Sequence, residues 1–245
     1  MSGHSKWATI HKQKSVTDAK RGAVFTKLAR NITIAAREKG GDSEMNMFLR
    51  TAIDKAKEFN MPKDNIERAI KKGTGELEGA KIEEIVYEGF GPEGTALIIK
   101  CLSDNKNRTV ANIRHILTKH NGRLGEVNTV MWMFEEKGVI RFLKSAILEK
   151  GIGRDNFELE IIDAGAEDIK EEDAEVEVYT NVQNFQNIKD VIEKKGIKVE
   201  SSGIEWIAKN NVEVVNEARE KVINLLEALD DDEDVQDVYI NGKNF

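Results

Sequence analysis

Cysteine, proline and long apolar runs are almost missing from this sequence. A single cysteine, Cys101, among 245 residues cannot close an intrachain disulfide, which argues against a small secreted scaffold stapled by such bonds. Two prolines leave no room for a Pro-rich linker or a polyproline segment. No stretch approaches the roughly 20 consecutive apolar residues of a membrane-spanning helix. The opening Met1-Ser2-Gly3-His4-Ser5-Lys6-Trp7 has no apolar signal-peptide core. The expectation is a soluble, cytoplasmic protein in a reducing compartment, with no membrane partner. Apolar residues at 40% and charged residues at 33% are enough to build cores under a charged surface, which argues against wholesale disorder. At roughly 150 residues per domain the length allows one to three domains.

The net charge of -7 argues against nucleic acid only as an average. Residues 1–80 hold 16 Lys and Arg against 10 Asp and Glu, whereas the rest of the chain holds 21 against 34. The first 30 residues hold seven cations and one acid, Asp18. A second basic island brings together Lys100, Lys106, Arg108, Arg114, Lys119 and Arg123 against Asp104 alone. Such asymmetry points to a basic face for a polyanion and an acidic body turned away from it. Solvated surface charge is the plainer alternative for any one run.

Hydrophobic spacing divides the chain. After a polar arm, Asp18 is placed to cap a helix whose buried face is Phe25, Leu28, Ile32 and Ala35/Ala36, stopped by Gly40-Gly41. A second helix repeats at Phe48/Leu49, Ala52/Ile53, Ala56 and Phe59, and Pro62 opens a third that Gly73 is expected to end. Lys71 and Lys72 in its last turn complement the helix dipole and are not taken as contacts. Beyond a Gly-rich linker the period becomes that of strands. Ile85–Phe90, a Gly91-Pro92-Glu93-Gly94 turn and Thr95–Leu102 form a hairpin, followed by a helix over Asn107–His120 and a strand over Val127–Phe134. Residues 138–207 carry their own split βαβ pattern: strands at 139–142, 167–169, 174–179 and 197–207, helices at 155–164 and 185–195. The unit before it is one helix short, and helix 213–229 with strand 235–240 supplies the missing pieces. The expected architecture is therefore α+β and multidomain. Its parts are a helical basic N-terminal domain (1–79), an α+β domain (80–134 plus 209–245), and a third domain (135–208) inserted into the second, the two α/β sandwiches being ferredoxin-like.

Catalytic and metal motifs fail their structural conditions. Gly89-Phe90-Gly91-Pro92-Glu93-Gly94 fits G-x-G-x-x-G, but a strand rather than a helix follows, and Pro92 removes an amide donor. Asp230, Asp232 and Asp234 resemble the opening of a calcium loop, but Val235 stands where its glycine is required and Asn241 where its glutamate is. His4, His11, His115 and His120 make no zinc-type spacing with each other or with Cys101. No nucleophile elbow occurs, and Cys101 reads as core. No catalysis, cofactor, metal or small-molecule substrate is expected.

The candidate binding residues lie in the arm, the first helix and the basic island. His4, Lys6, Trp7, Lys12 and Lys14 alternate cations with rings that can stack on an unpaired base, although Trp7 packed against the helices is an equal alternative. Lys20, Lys27, Arg30 and Arg37 fall in one arc of the first helix, with Arg21 beside them, as a row of cations facing a phosphate backbone. Lys106, Arg108, Arg114 and Lys119 extend the set. Arg108 begins its helix, where either a phosphate or a carboxylate of the chain itself fits.

These residues carry a resemblance. Gly3-His4-Ser5-Lys6-Trp7, Asp18-Ala19-Lys20-Arg21-Gly22, Phe25-Thr26-Lys27-Leu28, Asn60-Met61-Pro62-Lys63-Asp64, Ile66-Glu67-Arg68-Ala69-Ile70, Tyr87-Glu88-Gly89, Asp104-Asn105-Lys106-Asn107-Arg108-Thr109 and Val235-Gln236-Asp237-Val238-Tyr239 look like the YebC/PmpR family, to which a mitochondrial translational activator of cytochrome c oxidase is related. The departures are Thr9, His11 and Gln13 in the arm, and Val127-Asn128. The resemblance implies three domains, the third inserted into the second, and a cytoplasmic regulator of gene expression. Bacterial relatives imply a DNA-binding transcriptional regulator. The alternative it implies is a translation factor on ribosomal RNA and tRNA that aids elongation through proline-rich stretches.

Overall fold

A computed structural model describes residues 18–79, 81–172, 174–215 and 217–243. One compact unit is Trp132–Asn211; the other combines the described residues that precede and follow it.

The second of these units begins with three helices, α1 (Asp18–Lys39), α2 (Met47–Glu58) and α3 (Lys63–Thr74). Their apolar spacing meets in one core containing Leu28, Ile32, Ala36, Leu49, Ala56, Ile66 and Ala69. Buried Asn46 joins α1 to α2: its Oδ1 accepts the Leu49 amide, and its Nδ2 donates to the carbonyls of Ala35 and Gly40. Gly73 does not end α3 as expected. It lies inside the helix where α3 crosses α1, and a Cβ there would sit 2.4 Å from the Thr33 carbonyl oxygen. The stop is Gly75, at φ 81°, which only glycine adopts without cost.

Strands β1 (Glu83–Phe90) and β2 (Ala96–Ser103) form the expected hairpin, and α4 (Lys106–Lys119) follows with its N-cap Asn105 accepting the Arg108 amide. A short β3 (Arg123–Leu124) pairs with β1. From the far end of the sequence, α8 (Glu217–Asp230) and β9 (Val235–Ile240) complete this layer, giving the antiparallel order β3-β1-β2-β9. Leu97, Ile99 and Cys101 of β2 pack under Ile113 and Leu117 of α4 and Leu225 and Leu229 of α8. Val212–Glu213 (β8) and Gly242–Lys243 (β10) add a parallel pair, so Glu213 lies in a strand and not at the start of the last helix.

The expected strand over 127–134 is absent. Glu88 is 5% exposed, and its carboxylate accepts the amides of Asn128, Val130 and Met131 at 2.6–2.8 Å. Those donors are taken by a side chain and are unavailable to a ladder. Met131–Met133 is a 3-10 turn carrying exposed Trp132.

In the other compact unit, the strand expected at 139–142 is part of a longer β4 (Phe134–Leu143), which takes in only the last residue of 127–134. After it come α5 (Lys144–Glu149), α6 (Arg154–Asp163), β5 (Ala166–Glu172), β6 (Glu175–Thr180), α7 (Phe185–Lys194) and β7 (Val199–Ala208). The sheet order β5-β6-β4-β7 is antiparallel throughout and has the split βαβ arrangement of a ferredoxin-like sandwich. Ile140, Phe142, Val176 and Val178 meet Phe157, Ile161, Ile188 and Ile192 of the helices. On the opposite sheet face, buried Arg141 holds Glu177 through Nε at 2.7 Å and Glu205 through both terminal nitrogens. Burial alone would lower the Arg141 pKa; Glu205 and Glu177 outweigh it and keep the guanidinium charged.

Candidate nucleic-acid interface

The arm residues His4, Lys6, Trp7, Lys12 and Lys14 lie outside the described residues, as do the side chains of Lys20 and Arg21. For Lys27 and Arg30 the structure corrects the expected outward row: their part of the α1 arc faces backbone and carboxylate groups of the chain itself, while Arg37 remains exposed. Lys27 Nζ donates to the Asp230 carbonyl and lies 3.4 Å from its carboxylate. Arg30 donates to the Glu233 carbonyl and stands 2.8 Å from Asp234 Oδ1, with 12% of its own side chain exposed. Arg37 donates to the Ile82 carbonyl.

Asp234 is the centre of this arrangement. It sits in the acidic turn between α8 and β9 with 1% of its side chain exposed. Beyond Arg30 it accepts Thr109 Oγ1 at 2.8 Å, Ser103 Oγ at 3.2 Å and both carboxylate contacts of Arg108 Nη2 at 3.0 and 3.1 Å. Burial alone would raise the Asp234 pKa, but the Thr109 hydroxyl, Arg108 and Arg30 outweigh it and hold the carboxyl below its ordinary value. The hydrogen bond from Arg108 to Asp234 correspondingly raises the arginine. A carboxylate beside the first turn of α4 also sits where the helix dipole favours negative charge. Of the two ligands that the sequence left open for Arg108, the one present is a carboxylate of this chain. Asn112 of α4 adds a bond to Asp232. One acidic turn therefore ties α1, α4 and the end of β2 together.

The remaining members of the basic island point elsewhere. Lys106 makes an exposed pair with Glu83 at 2.7 Å, a contact that solvent and salt weaken and that leaves the lysine competent for other anions. Arg114 and Lys119 are exposed and have no carboxylate partner among the described residues. Their helix contains no Asp or Glu at all, and its outward side carries Asn107, Ala111, Arg114, His115, Thr118 and Lys119. Arg123, just past that helix, lies 4.4 Å over the Phe90 ring. Arg68, Lys71 and Lys72 form a second exposed set on α3, three and four residues apart and without a carboxylate partner among the described residues. By sequence Lys71 and Lys72 only complement the helix dipole. Their exposure depends on the packing of α3 against α1, which no local pattern reports.

Cys101 is fully buried, and burial pushes its thiol up, away from the thiolate form that a nucleophile needs. Among the described residues, no group of three or more His, Cys, Asp or Glu is placed to hold a metal ion, and no helix is long and apolar enough to cross a membrane.

The described architecture is that of a multidomain α+β protein with a helical N-terminal region. A model of the TACO1/YebC protein N-terminal domain matches residues 5–76, and a model of the TACO1/YebC second and third domain matches residues 82–242. The chain belongs to the TACO1/YebC family. A "Probable transcriptional regulatory protein" of Pseudothermotoga lettingae is 49% identical over 241 residues, covering 98% of this chain and 93% of that one. A protein of the same name from Halothermothrix orenii is 50% identical over 242 residues, covering 98% and 94%. The crystal structure of a conserved hypothetical protein from Aquifex aeolicus superposes with a TM-score of 0.81 at 41% identity, covering 95% of this chain and 94% of the other.

Proposed function

We propose that this chain is a nucleic-acid-binding regulator of gene expression, acting in the cytoplasm on DNA as a transcriptional regulator and not as an enzyme. The names of its relatives support the regulatory part. The observation that carries the binding part is α4, a helix of 14 residues with no carboxylate, whose outward Arg114 and Lys119 meet no acid among the described residues. These two, with Lys106 and the arm cations Lys6, Lys12 and Lys14, are the contacts we assign to phosphates, which position a duplex without reading its sequence. Lys27, Arg30 and Arg108 we assign to holding α1 and α4 against the acidic turn.

A second reading, a factor bound to ribosomal RNA or tRNA, is favoured by Trp7 and His4 set among the arm lysines, since unpaired bases offer the stacking faces that a duplex hides. Crosslinking in cells followed by sequencing of the attached nucleic acid separates the two. Discrete promoter fragments are expected; a predominance of ribosomal RNA would replace the DNA reading with the ribosomal one.

A further inference from the structure

A cleft of about 290 Å³ opens where the β1–β2 turn meets the C-terminal end of α4, lined by Phe90, Glu93, Gly94, Asn121 and Arg123. We propose that it holds the unpaired guanine base of a single-stranded nucleic acid, an inference that rests on the nucleic-acid reading above and adds a base-recognition site to it.

Four observations converge. The first is the floor: the Arg123 guanidinium lies 4.4 Å over the Phe90 ring and meets no other ring among the described residues. A guanidinium held against an aromatic ring is a platform for a further planar group, and stacking of this kind is how single strands are held. Second, the volume is at the small end of ligand sites, which run upward from roughly 300 Å³, and accommodates one base.

Third, the wall carries a carboxylate. Glu93 is exposed and has no hydrogen-bond or ion-pair partner among the described residues. Its charge opposes a bare phosphate in the cleft and selects a ligand edge made of donors. Guanine presents two adjacent N–H donors on its Watson–Crick edge, which match two carboxylate oxygens, and a carbonyl beside them that the Asn121 amide can meet. Fourth, the two polar wall residues are both in the left-handed region, Glu93 at φ 58° and Asn121 at φ 60°. For a glutamate that conformation carries a cost, and such residues cluster at ligand sites. Exposed Arg114 and Lys119 belong to the helix whose C-terminal end borders the cleft. The turn whose G-x-G-x-x-G spacing lacks a helix to hold a dinucleotide thus acquires a different role, as one wall of a base pocket.

The test uses the full chain and dye-labelled single-stranded RNA hexamers UUGUUU and UUAUUU, alongside a duplex DNA, read by fluorescence anisotropy. The wild type is expected to prefer UUGUUU by roughly tenfold, the discrimination typical of one good bidentate contact. Glu93→Gln keeps the shape of the side chain and is expected to abolish that preference. Arg123→Ala is expected to weaken both hexamers by roughly tenfold, as loss of one stacking platform does, while leaving duplex binding unchanged. Equal affinity of the wild type for the two hexamers, or a preference that survives Glu93→Gln, overturns the cleft assignment. If the duplex binds with a normal salt dependence in that case, the cleft alone is wrong; if neither duplex nor hexamers bind, the nucleic-acid reading fails with it.

Discussion

Arg30 Nη1 lies 2.8 Å from Asp234 Oδ1, and the carboxylate it meets is almost wholly removed from solvent. A helix near the start of the chain is therefore fastened to a turn near its end by a charge contact, with Arg108, Thr109 and Ser103 completing the carboxylate's coordination. Removing the carboxylate leaves Arg30, Thr109 and Ser103 largely buried without compensation, which is costlier than the contact is favourable, while Arg108 at 40% exposure regains water.

Asp234→Ala is expected to destabilise the chain by about 3–5 kcal/mol in urea unfolding, the range for breaking a buried ion pair from one side. Lys27→Ala, whose partner is 27% exposed and 3.4 Å away, is expected to cost no more than about 1 kcal/mol.

The same carboxylate sets a pH dependence. Asp234 has a lowered pKa in the folded chain, so the unfolded chain binds the extra proton. Its contribution is complete above the ordinary aspartate value of about 3.9 and disappears as pH falls through the lower folded value. The stability difference between wild type and Asp234→Asn is expected to be flat from neutral pH down to that range, then to shrink. A difference that grows on acidification would contradict the assigned partners.

Gly73→Ala should destabilise α3 against α1 by about 1–3 kcal/mol, because the added methyl meets backbone and not a movable side chain. Gly22→Ala, with nothing within 4 Å of the added carbon, is the control and should stabilise by about 0.5–1 kcal/mol. Thermal melting of both variants checks the pair.

Glu88→Gln replaces an ionised acceptor of three backbone amides and turns one of its oxygens into a donor. A loss of about 1–3 kcal/mol is expected, with faster hydrogen exchange confined to the amides of Asn128, Val130 and Met131.

What the sequence made legible follows the range of the forces involved. The faces of α1, α2 and α3 are set by spacing within each helix, and Leu28, Ile32, Leu49 and Ala56 are buried where the period puts them. The hairpin around Gly91–Gly94 is equally local, as is the βαβ periodicity of residues 138–207. The strand expected at 127–134 failed because its amides belong to Glu88, some forty residues upstream. The cationic arc of α1 is legible as an arc, but the inward direction of Lys27 and Arg30 within it is not. Lys27 and Asp230 are 203 positions apart, and nothing in either segment announces the other. The sequence excludes the acidic run at 230–234 as a calcium loop, while its function as an anchor depends on three elements meeting there. The basic island that contains Arg114 and Lys119 is legible from composition, because a helix without carboxylates shows in the sequence itself.

The central claim divides the cations into those that hold the fold and those that face a polyanion. Its most direct test is the slope of log affinity against log salt for duplex DNA, measured for wild type, Arg114→Ala/Lys119→Ala and Lys27→Ala/Arg30→Ala. Each phosphate contact contributes about 0.9 to that slope, so the first double variant is expected to flatten it by roughly 2 with unchanged melting temperature. The second should lower the melting temperature and keep the slope. A slope indifferent to Arg114 and Lys119 but flattened by loss of Lys27 and Arg30 would contradict the division.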